Sequence, residues 1–138
     1  MNHDNGAINP PRDTYSDDVC VNEHNAGGGQ TMAHAIDNCL RCYKTCLQAL
    51  SKHCIEAAGG VHNEASHTWL MMDCVAICQV AADFMIRGSK NHRQTCRVCA
   101  DICRQCAESC DAMGEMDSCV ETCRACAESC SAMSGTHA

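Results

Sequence analysis

The stretch Cys99-Ala100-Asp101-Ile102-Cys103-Arg104-Gln105-Cys106-Ala107-Glu108-Ser109-Cys110 sets thiols at spacings of four, three and four residues. The same spacing returns in Cys119-Val120-Glu121-Thr122-Cys123-Arg124-Ala125-Cys126-Ala127-Glu128-Ser129-Cys130. Side chains three and four apart share one face of an α-helix, so each stretch predicts a helix with its thiols on one stripe. Arg97, Asp101, Arg104, Glu108, Glu121, Arg124 and Glu128 fall off that stripe, as a solvated face should. A buried seam written in thiols is a ligand surface for a soft metal ion.

Outward from these two stretches the chain divides into four helical segments. The first is expected over about Thr31 to Ala58, stopping at Gly59-Gly60, and the second over about Asn63 to Arg87, stopping at Gly88. The third is expected over about Ser89 to Met113 before Gly114, and the fourth over about Ser118 to Met133 before Gly135. Glycine just past the last periodic residue tolerates the left-handed conformation that ends a helix. Ser118 with Glu121 three residues on fits a capping box opening the fourth helix. Connections this short force successive helices to run antiparallel, giving an all-α, up-down-up-down four-helix bundle. Residues 1–30 hold Pro10, Pro11, the run Gly27-Gly28-Gly29 and Cys20 with little periodicity, and read as an N-terminal extension to a domain over 31–138.

Composition narrows the function. Sixteen of 138 residues are cysteine, and the aromatics are only Trp69, Phe84, Tyr15 and Tyr43, so bulky side chains do not fill the middle. A net charge of −7 with ten Lys and Arg spread along the chain argues against nucleic acid as partner. No run approaches the eighteen or so apolar residues of a membrane span. The start Met1-Asn2-His3-Asp4-Asn5-Gly6 lacks the basic and apolar regions of an export signal, so the expected location is cytoplasmic, where thiols stay reduced. Disulfides are disfavoured by that compartment, and by neighbours along one helix face bridging poorly.

The remaining segments carry the same seam. The first supplies Cys39, Cys42 and Cys46, with His53 seven residues on and Cys54 beside it. The second supplies Cys74 and Cys78, extended at sevenfold spacing back to His67 and forward to Met85; Cys96 leads the third. Thiolates select Cu(I), zinc and iron–sulfur clusters. Zinc held by four unshared thiolates stays at −2 per site, and a bundle full of such sites would bury a large uncompensated charge. Cu(I) with two thiolates, each bridging two coppers, approaches about one ion per cysteine and a neutral cluster. The ferredoxin run C-x₂-C-x₂-C-x₃-C-P is absent, and a linear row of thiols is the wrong shape for a zinc finger.

On its C-x₃-C-x₂-C-x₃-C stretches, Cys99 to Cys110 and Cys119 to Cys130, and the sparser Cys39 to Cys46 and Cys74 to Cys78, the chain resembles the bacterial four-helix-bundle copper storage protein family, in its cytosolic branch. The likeness covers roughly residues 31 to 135 and leaves the extension with Cys20 unexplained. It implies a homotetramer of bundles, each holding many Cu(I) ions inside.

Antiparallel packing gathers Met32, Met85, His92, Met133 and His137 at one end of the cylinder. Thioether and imidazole bind Cu(I) more loosely than bridging thiolates, so this end is expected to be the mouth where a copper donor delivers ions, with Asp83 helping to attract the cation. His53, His67, Met113 and Met116 mark the opposite end. The expected activity is capture without turnover, not an enzyme. The rivals are a thiol redox protein, which needs one exposed activated thiol, a copper-responsive DNA-binding repressor, which needs a basic face, and metallothionein-like zinc buffering.

Overall fold

The computed structural model describes residues 30–55 and 65–135, the side chains of residues 53–55 excepted. Cys20 with most of the expected extension, the Gly59-Gly60 stop, the side chains of His53 and Cys54, and His137 lie outside that description. Among the described residues there are four α-helices and no strand: α1 Met32–Ala49, α2 Ala65–Ile86, α3 His92–Met113 and α4 Asp117–Ser134. A π-helical segment, Leu50–Ile55, continues α1.

Helix α1 opens as expected, with Thr31 extended and its Oγ1 accepting from the His34 amide at 3.0 Å. Three other boundaries differ. The α-helical geometry of the first segment stops at Ala49, because the next six residues widen to the π pitch. Helix α3 begins at His92 rather than Ser89, since the Ser89 amide donates to the Phe84 carbonyl at 2.9 Å and thereby closes α2 behind Gly88, whose φ is +72°. Helix α4 begins at Asp117, so the Ser118 capping box does not form. Met116 takes the cap position with no side-chain hydrogen bond and is 4% exposed: an apolar anchor decides this start, and the Asp117 carboxylate sits where the helix dipole favours it.

Neighbouring helices pack as a ring, α1 on α2, α2 on α3, α3 on α4 and α4 back on α1. Pairing runs in opposite directions across it. Cys39 meets Cys130 and Cys46 meets Cys123, while Cys78 meets Cys99 and Met71 meets Cys106. The bundle is therefore up-down-up-down. Alanines 35, 81, 82, 100, 107 and 127 are buried at the helix contacts and let the backbones approach closely. The centre they enclose is made of sulfur: every described cysteine is buried, joined by Met32, Met71, Met85, Met116 and Met133. No Asp, Glu, Lys or Arg is buried among the described residues.

Helix α2 corrects one expectation. Its 22 residues are long and apolar enough to cross a membrane. The stripe His67, Met71, Cys74, Cys78, Ala81, Ala82 and Met85 is buried against the other helices, yet only 33% of the apolar stretch is buried in the bundle. The outer side of α2 also carries exposed apolar residues, with Trp69 at 64%, Met72 at 42% and Val80 at 40%.

Candidate metal centre

The thiol stripes converge because each is the narrow a/d-like seam of its own helix, and four such seams in a ring face one axis. Ten cysteines form four tetrads in which all sulfurs lie within 4.8 Å of one another. Cys39, Cys99, Cys126 and Cys130 share Cys99 and Cys126 with the tetrad Cys78, Cys99, Cys103 and Cys126. That one shares Cys78 and Cys103 with Cys42, Cys74, Cys78 and Cys103, which shares Cys42 and Cys74 with Cys42, Cys46, Cys74 and Cys123. The tetrads are thus fused edge to edge into one continuous ladder drawn from all four helices. Nearest sulfurs stand 3.4 to 3.9 Å apart, and all fourteen described cysteines are free thiols. First-row metal–thiolate bonds of about 2.3 Å give sulfur–sulfur spans up to about 4.6 Å, which the ladder matches with little movement.

The four other described cysteines extend the ladder at both ends. Cys96 interacts with Cys130 beyond the first tetrad. Past the last one, Cys119 interacts with Cys110 and Cys46, and Cys106 lies 3.9 Å from Cys110. Here the structure adds a residue that sequence reading missed: the Met71 thioether accepts from Cys110 at 3.4 Å and from Cys106 at 3.9 Å. Met71 precedes Cys74 by three and Cys78 by seven, so its stripe position was visible in the sequence.

Other expected ligands take varied places. His67 is 1% exposed, and its Nδ1 lies 2.7 Å from Ser109 Oγ on α3, which fixes the ring one turn beyond Met71. Met85, Met32 and Met133 are buried at the far end with Cys96, and half-buried His92 holds the Ser89 carbonyl through Nδ1 at 2.9 Å. Asp83 is paired with Arg87 at 3.3 Å, exposed on both sides, so its carboxylate is engaged at the surface.

Electrostatics inside the ladder are set by thiols alone. Cys78 is pushed well above the ordinary thiol value, first by its hydrogen bond with Cys103 and also by burial. Cys46 rises likewise, first through Cys106, and Cys130 first through Cys126. Hydrogen bonds from neighbours, Cys103 first, hold Cys126 down to about 7. Cys119 is held down to about 4, first by Cys110 and then by Cys46. It also lies in the first turn of α4, where the helix dipole favours a thiolate. With no charged side chain buried among the described residues, only a cation bound among the sulfurs can compensate several thiolates at once.

Known proteins share this fold. A solved structure of the Nmul_A1745 protein from Nitrosospira multiformis is 48% identical, covers 75% of this chain and 94% of its own, and superposes with a TM-score of 0.72. The Cu(I)-bound copper storage protein BsCsp3 is 30% identical over 73% of this chain and 95% of its own, with a TM-score of 0.67. The uncharacterized cysteine-rich protein YhjQ of Bacillus subtilis (strain 168) is 32% identical over 75 residues, 54% of this chain and 68% of that protein. The family model described as copper storage protein matches residues 29–135, a span that takes in all four helices and every tetrad, and the chain belongs to that family.

Proposed function

We propose that this protein stores Cu(I), binding many ions through bridging thiolates along the interior of the bundle. The observation that carries this is the edge-sharing ladder of tetrads, with no charged side chain buried around it among the described residues. Each shared sulfur can serve two ions, and two half-shared thiolates per Cu(I) leave no net charge to bury. Four Zn(II) ions in the four tetrads would set eight positive charges against ten thiolates, leaving a net −2 that no buried side chain among the described residues offsets. The Cu(I) held by BsCsp3 in the same fold supports the same cargo here.

The proposed ligands are Cys39, Cys42, Cys46, Cys74, Cys78, Cys96, Cys99, Cys103, Cys106, Cys110, Cys119, Cys123, Cys126 and Cys130, with Met71 at one end. Cys54, His53 and His137 stay in the set on spacing alone, and His67, Met85, His92 and Met133 as weaker ligands at the ends. The end capped by Met32, Met85, Met133 and His92 is proposed as the mouth, because thioethers there lead onto Cys96 and the first tetrad. Capture involves no turnover and no electron transfer; thiols lose protons as ions bind. We place the protein in the cytoplasm as a homotetramer, the latter supported by the exposed apolar side of α2.

Anaerobic titration of the reduced protein with Cu(I) against a chromophoric chelator tests this reading. Storage gives an end point near the sixteen cysteines of the chain. Saturation at one or two ions, or a preference for Zn(II) at equal availability, would overturn it.

A further inference from the structure

A cavity of about 650 Å³ lies between the C-terminal part of α1 and the start of α4. Thr45, Gln48 and Lys52 line it from one side, Glu115, Asp117 and Cys119 from the other. Thirteen of the fourteen described cysteines are 0% exposed, and Cys119, at 2%, is the one that keeps any surface in contact with solvent. The same residue stands one helical turn before Cys123, a member of the last tetrad, on the buried stripe of α4. Cys119 therefore joins a solvent-facing cavity to the buried ladder, at the end opposite the proposed mouth.

The lining gives the cavity a chemical preference. Lys52 presents a cation, the first turn of α4 presents peptide N–H groups with the positive end of its dipole, and Glu115 and Asp117 present carboxylates. Hydroxyl and amide groups of Thr45, Ser118 and Gln48 complete a polar wall. Such a set suits a ligand carrying both a carboxylate and an ammonium group, and the Cys119 sulfur in the same wall suits one that also carries a soft donor.

Resting on the storage reading above, we infer that this cavity is an unloading port, where a zwitterionic low-molecular-weight thiol takes Cu(I) from Cys119. The step is ligand exchange. The incoming thiol loses its proton and its sulfur bonds to the copper; the Cu–Sγ bond to Cys119 breaks, and that sulfur receives the proton, while copper stays Cu(I) throughout. Vacated Cys119 is then refilled from the last tetrad, one turn along α4, so the ladder drains from this end.

The test follows copper leaving the fully loaded protein to L-cysteine or to 2-mercaptoethanol at matched thiolate concentration, read by a Cu(I) chelator that is too slow alone. Unloading by L-cysteine is expected to be faster, and Lys52→Glu to slow it about tenfold, the loss of one charge-assisted hydrogen bond, while sparing 2-mercaptoethanol. Gln48→Trp, filling the cavity from an exposed position, is expected to slow both thiols. Both variants are checked for unchanged loading and thermal stability. Equal rates for the two thiols, or unchanged rates in both variants, would overturn the port while leaving storage intact. A wild-type end point of one or two ions would instead defeat the storage reading itself.

Discussion

The sulfur of Cys39 on α1 lies 3.4 Å from the sulfur of Cys130 on α4, two residues ninety-one apart in sequence and both fully buried. The contact is lateral, between helices, whereas neighbours along one stripe such as Cys42 and Cys46 stand 3.8 Å apart. Bridging ions can therefore tie helices to one another as well as run along them. Loading should stiffen the bundle as a whole.

Replacing both Cys39 and Cys130 with alanine removes half of the first tetrad. The end point of Cu(I) titration should fall by about two ions, one per lost thiolate. The unloaded fold should survive at a cost of about 1–2 kcal/mol in chemical denaturation, a small cavity term, because alanine already packs at neighbouring contacts such as Ala35 and Ala127. An unchanged end point would show that this tetrad holds no ion.

Met71→Leu keeps shape and loses the thioether. A near-isosteric swap in the core costs under about 1.5 kcal/mol. Total uptake should drop by no more than about one ion, since Cys106 and Cys110 remain as bridging thiolates. Ions at this end should exchange faster, and X-ray absorption at partial loading should lose the longer copper–sulfur component that a neutral thioether contributes.

The stripe of thiols made the bundle legible, because a four-three-four spacing fits only a helix, and short connections fit only antiparallel neighbours. The helix starts were less legible. Ser89 and Ser118 carry cap-like chemistry, yet Ser89 is consumed in closing α2 and Met116 is anchored by burial, both of which depend on packing that no local pattern reveals. Met71 escaped because a methionine on an apolar stripe is ordinarily core filler. The sequence likewise singled out no cysteine. Cys119 became distinct only when the first turn of α4 and the side of α1 were brought together around it.

The hydrogen bond from Asn38 Nδ2 to Ser129 Oγ, 2.8 Å, joins α1 to α4 outside the sulfur ladder. Asn38→Ala should lower the stability of the unloaded protein by about 1 kcal/mol, the net contribution of one partly buried bond. Loading stoichiometry should be untouched. A matching loss of bound copper would mean that alignment of these two helices, and not sulfur count alone, sets capacity.

Loading and the stability of the unloaded protein should depend on pH in opposite directions above about pH 8.5. Each thiolate that binds must give up its proton, so Cu(I) affinity falls as pH falls, and proton release measured in weak buffer should be about one per cysteine engaged. For the unloaded protein, Cys46, Cys78 and Cys130 hold their protons far above the ordinary thiol value. The unfolded chain then binds fewer protons than the native one once pH passes about 8.5, and stability drops as pH rises further. Cys126, held down to about 7, and Cys119, held down to about 4, act in the other sense and lose their contribution as pH falls through those values. Thermal unfolding of the unloaded protein should therefore peak at about pH 8.5, the ordinary thiol value at which the unfolded chain gives up its protons. The loaded protein, its thiol protons already displaced, should show no decline on the alkaline side; a parallel decline would mean that the buried thiols are not the groups titrating.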